Sequence, residues 1–385
     1  MRVIISLNYR LLILKSCYYQ FNLLPYLCKN FKSIIMSDLS QFDPNSVGNP
    51  DNNIFGLPFT EVEANLVIVP VPWEVTVSYN AGTARAADHI FNASLQVDLF
   101  DDEFNDEWRK GFYMRKPDKK ILTKSDYLRK EAELYINYIS HGEIVMENKF
   151  MCKTLRDINE GSLFLNNWVY EQTRDLLEKG KLVGLLGGDH STPLGFFKAI
   201  AENHSDFGIL QIDAHMDLRK AYEGFNYSHA SIMYNALEEI PQLKKLVQVG
   251  VRDYCDEELA YMQKSEGRVV TFFDKAIKER QYEGENWKTI TDEIVNALPQ
   301  NVFISFDIDG LNPKLCPHTG TPVHGGFEVQ EIYYLFKKVL KSGRKLIGFD
   351  LNEIGISHDE WDENVGARVL YKLCNLLTKS RTVSE

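Results

Sequence analysis

Seven short apolar and β-branched runs constrain the fold of this chain more than any other feature: Asn65–Pro70, Leu182–Leu186, Gly208–Ile212, Leu246–Val251, Val269–Phe273, Val302–Phe306 and Lys345–Phe349. They show little apolar–polar alternation, so they read as strands covered on both faces, the habit of a parallel sheet. Helical spacing lies between them. Leu165, Val169, Thr173 and Leu176 share a face before Gly180 supplies a stop; Val329, Ile332, Phe336 and Val339 repeat the pattern, as do Val365, Val369, Leu373 and Leu376. Strands alternating with helices predict βαβ units and an α/β fold, a single three-layer α/β/α domain around a mostly parallel central sheet. With 385 residues, 44% of them hydrophobic, the chain has ample material for one such core.

That domain is expected to span residues 65–385, after a polar lead-in over 36–64. Residues 1–35 are different in kind: they carry Arg2, Arg10, Lys15, Lys29 and Lys32 and no acid, which leaves 38 bases against 54 acids for the remainder. Lys15 and its polar neighbours cut every apolar run of this head well short of the ~20 residues a spanning helix needs, so no membrane partner is expected. The head reads as an extension ahead of a start at Met36 or as a targeting segment. The acidic body lacks the basic surface that nucleic-acid binding requires, and no nucleic-acid partner is expected. Six cysteines (Cys17, Cys28, Cys152, Cys255, Cys316 and Cys374) lie far apart with no CxxC pair, which points to the reducing cytoplasm. Residues 101–160 are rich in charge, with one helical stretch near 125–140 and no strand signal, and read as an elaboration inserted into the domain.

In open parallel sheets ligands bind beyond the carboxyl ends of the strands. Three strand ends here are chemically unusual: Gly187-Gly188-Asp189-His190 after Leu186, Asp213-Ala214-His215-Met216-Asp217 after Ile212, and Asp307-Ile308-Asp309-Gly310 after Phe306. Period-two alternation turns Asp213, His215 and Asp217 to one side, and likewise Asp307 and Asp309. A lone Asp-x-Asp is ordinarily a loop or a helix cap. So many acids and imidazoles converging at strand ends would repel unless cations sat among them. His190, Asp213, His215, Asp217, Asp307 and Asp309 are therefore candidate metal ligands. A donor set of two imidazoles and four carboxylates, without thiolate, suits manganese, with nickel or cobalt as alternatives, better than structural zinc. Six ligands suit two divalent ions sharing carboxylates, and the resulting charge balance favours a cationic substrate.

Together, and in this order, the three motifs resemble those of the ureohydrolase family, the arginases, agmatinases and their relatives, which release urea from guanidino compounds at a binuclear manganese centre. The resemblance runs from about residue 65 to 355 and implies an arginase-like fold. It implies that His190, Asp213, Asp217 and Asp307 hold one ion and Asp213, His215, Asp307 and Asp309 the other. The segment Leu218–Ser231 is similar to the agmatinase form of a family loop, in which His229 matches the proton-shuttling histidine; Asn226 and Ser228 are candidate substrate contacts. Glu353 matches the glutamate that pairs with the guanidinium. Three positions depart from the pattern. Asn312 stands where the family usually has aspartate beside the metal ligands, Pro72–Thr83 lacks the usual Arg-Pro-Gly, and Gly355 replaces a common proline.

The resemblance implies that an activated water attacks the guanidinium carbon, Asp217 orients that water, Glu353 fixes the planar cation and His229 relays protons. The substrate is expected to be a small cationic guanidino compound. Agmatine is preferred, guanidine giving urea and ammonia is the alternative, and arginine, guanidinobutyrate and formiminoglutamate stand behind. A non-catalytic metal-binding relative would be expected to have lost ligands. Family resemblance also implies a homotrimer or homohexamer.

Overall fold

A computed structural model of the chain describes residues 39–382, and the basic head over 1–35, with Cys17 and Cys28, lies outside them. Eight strands form one sheet: β1 Leu66–Pro70, β2 Phe112–Met114, β3 Leu182–Leu186, β4 Phe207–Ile212, β5 Leu243–Val249, β6 Val269–Phe272, β7 Asn301–Asp307 and β8 Lys345–Asn352. All neighbouring pairs are parallel, in the order β2-β1-β3-β8-β7-β4-β5-β6. The seven predicted runs are all strands; Leu182–Leu186 has the expected ends, and the others have one or both ends shifted by one to three residues.

Helices cover both faces, as the unbroken apolar strands require. Along the chain they are α1 Ala86–Ser94, α2 Lys119–Ser140, α3 Lys149–Glu178, α4 Leu194–Asn203, α5 Ile232–Glu239, α6 Asp256–Lys264, α7 Asp274–Tyr282, α8 Trp287–Ala297, α9 Val329–Lys341 and α10 Trp361–Thr382. β1 illustrates the layering: Leu66 and Ile68 join the core under α1, α8, α9 and α10, while Val67 and Val69 join the opposite core under α2, α3, α4 and α5. On that second face Phe303 of β7 lies edge-on to Phe196 and Phe197 of α4, with ring centroids 5.1 and 5.0 Å away.

Residues 101–160 correct the expectation that this stretch carries no strand. Phe112–Met114 extends the sheet beside β1, and Asn53 covers its open edge by accepting from the Met114 N–H at 2.6 Å and donating to its carbonyl at 3.2 Å. Helix α2 starts at its Asp118 cap, and α3 at Asn148, whose side chains accept from the first free N–H groups. Among the described residues no helix is long and apolar enough to cross a membrane.

The order of strand addition places the site. After β3 the chain leaves a gap of two strands before β4, and β7 and β8 later fill it. The carboxyl ends of β3, β8, β7 and β4 thus stand side by side in the middle of the sheet, at a switch in winding direction. Replacing Phe303 by alanine should leave a cavity between β7 and α4 that costs about 3–5 kcal/mol. The check is a lowered urea midpoint with an unchanged denaturant slope.

Candidate metal centre

Four adjacent strand ends deliver the chemistry. His190 follows β3, Asp213, His215 and Asp217 follow β4, Asp307 closes β7 with Asp309 just beyond, and Glu353 follows β8. His190 Nδ1 lies 3.0 Å from Asp213, 3.1 Å from Asp217 and 3.2 Å from Asp307. His215 Nδ1 lies 3.0 Å from Asp309 and 3.5 Å from Asp213. The six residues expected from the motifs are therefore gathered in one place. Two groupings have the geometry to hold a cation, His190–Asp213–Asp307 and Asp213–His215–Asp309, and Asp213 belongs to both. Five of the six are buried, His215 being half-buried.

Backbone amides and buried strand polars aim these carboxylates. Asp213 Oδ1 accepts from the His215 N–H at 2.6 Å, Asp307 Oδ1 from the Asp309 N–H at 2.9 Å, and Asp309 Oδ1 from the Ala214 N–H at 2.9 Å. A chain of side chains crosses the sheet to Asp213: Thr271 donates to Gln248, Gln248 to Gln211 and Gln211 to Asp213 Oδ2, in steps of 2.7, 2.7 and 2.8 Å. On the other flank His190 Nε2 meets Ser305 at 2.9 Å, and Ser305 donates to Asp350 at 3.0 Å. Sequence reasoning passed over Gln211, Gln248, Ser305 and Asp350. Their signal was a polar side chain inside an otherwise apolar strand.

The electrostatics are those of a crowded acid cluster. Burial alone would lower the His190 and His215 imidazolium pKa values, but the surrounding Asp carboxylates outweigh it and hold both well above the ordinary range. Burial together with the Asp213 charge pushes Asp217 up to about 7, and burial with the Asp309 and Asp213 charges raises Asp307 well above the usual carboxylate. His190 Nδ1 and Asp309 Oδ2 are buried without a hydrogen-bond partner. Buried ligand atoms left without a hydrogen-bond partner beside several carboxylates are what a cation would satisfy. The donor set and its geometry fit paired divalent ions.

A cavity of about 310 Å³ opens beside the cluster, lined by His215, Asp217 and His229 within and by Ser78, Tyr79, Arg219, Tyr222, Asp253, Tyr254, Glu258 and Thr321–Val323 further out. His229 is fixed by Thr76, whose hydroxyl accepts its N–H at 3.1 Å and lies 3.4 Å from Nδ1. Burial and the His215 and His190 charges lower the His229 pKa to about 3, so it is a neutral base at pH 7. Glu353 is buried, accepts the His190 N–H at 2.9 Å through Oε1 and leaves Oε2 without a partner. Burial and the charge of Asp189 raise its pKa well above the usual glutamate. Asp217 and Glu353 both have positive φ, 55° and 62°. Backbone strain of roughly 1–3 kcal/mol per residue collects at sites that need a fixed side-chain direction.

Three expected contacts do not line the cavity, and Glu353 is one of them, buried against the His190 backbone. Asn226 is exposed and is held through its backbone, whereas Ser228 is buried and caps the turn beginning at His229 by accepting from the Ala230 N–H. Neither lines the cavity, and Arg219 and Tyr222 from the same loop do. Asn312, expected beside the metal ligands, instead accepts from the Lys314 N–H at 3.1 Å within its own turn, a bond that an aspartate would also make. Gly355 is explained by close approach: a Cβ there would stand 1.9 Å from the His318 carbonyl oxygen.

Parallel doubly wound sheet, buried acid–imidazole cluster and adjoining cavity together define an α/β protein with a candidate site for paired cations at its strand ends. The arginase-family model matches residues 64–375, and the chain belongs to that family, whose members are hydrolases of C–N bonds in guanidino compounds. It is 27% identical over 320 residues to the N(1)-aminopropylagmatine ureohydrolase of Synechocystis sp., covering 81% of this chain and 88% of that one. It is 24% identical over 301 residues to the agmatinase of Bacillus anthracis, covering 78% and 87%. The agmatine ureohydrolase of Thermoplasma volcanium shares the fold, with a TM-score of 0.63 at 20% identity, covering 84% of this chain and 92% of that one.

At Gly320 a Cβ would stand 2.5 Å from Glu353 Oε2. Gly320→Ala should therefore displace that carboxylate while leaving the metal cluster intact. Hydrolysis is expected to fall about 10²-fold, the cost of misplacing a binding group by an ångström, with metal content by elemental analysis unchanged.

Proposed function

We propose that the protein is a binuclear, metal-dependent ureohydrolase that releases urea from an amine-tailed guanidino compound of the agmatine class. The observation that carries this reading is the buried cluster of four carboxylates and two imidazoles at adjacent strand ends, beside a cavity whose lining includes the exposed Asp253. His190, Asp213, Asp217 and Asp307 would hold one ion and Asp213, His215, Asp307 and Asp309 the other. Manganese is preferred from the oxygen-rich donor set, with nickel or cobalt as alternatives. When bound, such a pair of cations acidifies water at neutral pH and offsets the charge of the acids.

The protein's own groups would do the rest. Asp217, on the cavity wall, accepts a hydrogen bond from the attacking water and directs it at the guanidinium carbon. Glu353 offers a buried carboxylate oxygen that lacks a counter-charge, and a planar cation satisfies it by charge-assisted hydrogen bonds. Neutral His229, with Nδ1 occupied by Thr76 and Ser228, has Nε2 available to carry a proton between the departing amine and solvent. At the mouth the exposed Asp253 supplies negative charge for a distal ammonium, whereas Glu258 is buried and paired with Arg219, and the names of the relatives, agmatinase and aminopropylagmatine ureohydrolase, agree with a substrate of that type. One catalytic domain over residues 65–385, assembled as a homotrimer or homohexamer in the cytoplasm, completes the reading. The free Cys152, Cys255, Cys316 and Cys374 support the reducing compartment.

Urea release should be measured with manganese or nickel across agmatine, arginine, guanidinobutyrate and guanidine. The highest kcat/KM is expected with agmatine, and no urea from any compound would sink the reading; guanidine as the best substrate would overturn the substrate class alone. Asp213→Ala should lose bound metal and reduce turnover by more than the ~10–100-fold typical of groups that merely support a ligand.

Loading also carries a pH signature. In the metal-free cluster His190 and His215 are protonated at neutral pH because their pKa values are raised, so each must lose a proton to bind an ion. Metal affinity should rise with pH and binding should release protons, detectable as a buffer-dependent enthalpy in titration calorimetry. A buffer-independent enthalpy would contradict the assignment.

A further inference from the structure

Two of the segments that line the cavity beside the cluster are irregular loops. Residues 74–82 contribute Ser78 and Tyr79 to the cavity, and residues 218–230 contribute Arg219, Tyr222 and His229. They meet each other at His229 through Thr76, and both are gripped from behind by the antiparallel pair α2 and α3.

From α2, the buried Ser125 hydroxyl accepts the Glu74 N–H at 3.1 Å. The Arg129 guanidinium donates to the carbonyls of Val77 and, at 3.5 Å, of Val75. From α3, one carboxamide holds the second loop in both directions: Asn159 Nδ2 donates to the Gly224 carbonyl at 3.3 Å, and its Oδ1 accepts the Asn226 N–H at 2.8 Å. Between these points the Tyr135 ring lies 5.3 Å from that of Phe225.

Irregular backbone has no ladder of its own, so each of its polar groups must find another partner. A guanidinium bridging two carbonyls of one loop fixes its curvature, and a carboxamide that both gives and accepts fixes the register of the other. We propose that the α2–α3 hairpin sets substrate selectivity, with Arg129 and Asn159 as positioning residues that hold the two rim loops at the separation the substrate's tail must fit. The proposal rests on the ureohydrolase reading for its substrate. It goes beyond that reading in assigning a role to residues that touch neither metal ligands nor bound compound. Both residues fall in the charged stretch 101–160, so the elaboration acts on the mouth of the site from behind.

The test uses the full-length, manganese-loaded enzyme with Arg129→Ala, Arg129→Lys and Asn159→Ala. For Arg129→Ala and Asn159→Ala, the kcat/KM preference for the best guanidino substrate over shorter and longer ones should shrink by about 10-fold or more, mainly through KM, because positioning groups remote from the chemistry act through orientation. Metal content should stay at the wild-type value. Arg129→Lys, which keeps one donor, should recover part of the preference. Amide hydrogen exchange should accelerate across 74–82 in the Arg129→Ala protein and across 222–228 in the Asn159→Ala protein. A lowered Tm with KM, preference and loop exchange all as in wild type would make the hairpin a structural brace only and overturn the proposal. Wild-type enzyme that releases urea from no compound would instead remove the ureohydrolase reading, and unchanged loop exchange in the same variants would still refute the clamp.

Discussion

Four carboxylates and two imidazoles meet in the interior at the ends of β3, β4 and β7, and the arrangement of everything around them follows from the cost of that meeting. Like charges within hydrogen-bond distance of one another, removed from water, repel by far more than a domain's net stability unless opposite charge compensates them. In the protein alone that compensation is protonic: imidazolium on His190 and His215, and raised pKa values on Asp217 and Asp307. Divalent ions would take the place of those protons. Folding and metal loading are thereby one electrostatic problem with two solutions.

The surrounding shell aims the cluster as well as compensating it. The relay of Thr271, Gln248 and Gln211 crosses three strands to reach Asp213, and Ser305 with Asp350 fixes the far nitrogen of His190. Buried polar side chains in apolar strands are costly unless each is paired, and each of these bonds pairs one with the next. Outside that shell the same logic continues with weaker forces. Irregular loops 74–82 and 218–230 owe their shape to donors and acceptors borrowed from helices behind them.

Burial gives two acids near the centre different uses. Asp217 lines the cavity beside cationic imidazoles, whereas Glu353 has burial and the Asp189 charge against it and no counter-charge of its own. Both acids are raised above the usual carboxylate range, Asp217 by burial and the Asp213 charge and Glu353 by burial and the Asp189 charge, so added positive charge would favour the ionised form of each. His229 is shifted the other way for its own charge: burial lowers its pKa and keeps the imidazole neutral.

The residues by themselves determined the parallel layering and the six members of the cluster, because both are written locally: apolar runs without alternation demand cover on two faces, and Asp-x-His-x-Asp or Asp-x-Asp after such a run turns its acids one way. Other features carried no local mark. Phe112–Met114 is a three-residue strand, too short for a period, and exists because β1 offers an edge. Helix α3 begins sixteen residues before the Leu165 pattern that announced it, since its first turns pack on α2 and on a loop rather than on the sheet. Asn226 and Ser228 lie within the predicted loop, yet tertiary contacts point one into solvent and spend the other on a cap. Only the tertiary structure decided which strand ends stand together, because strand order is a matter of winding, and only it brought α2 and α3 against the loops at the mouth, because those hydrogen bonds join residues 51 to 67 positions apart that no sequence pattern pairs.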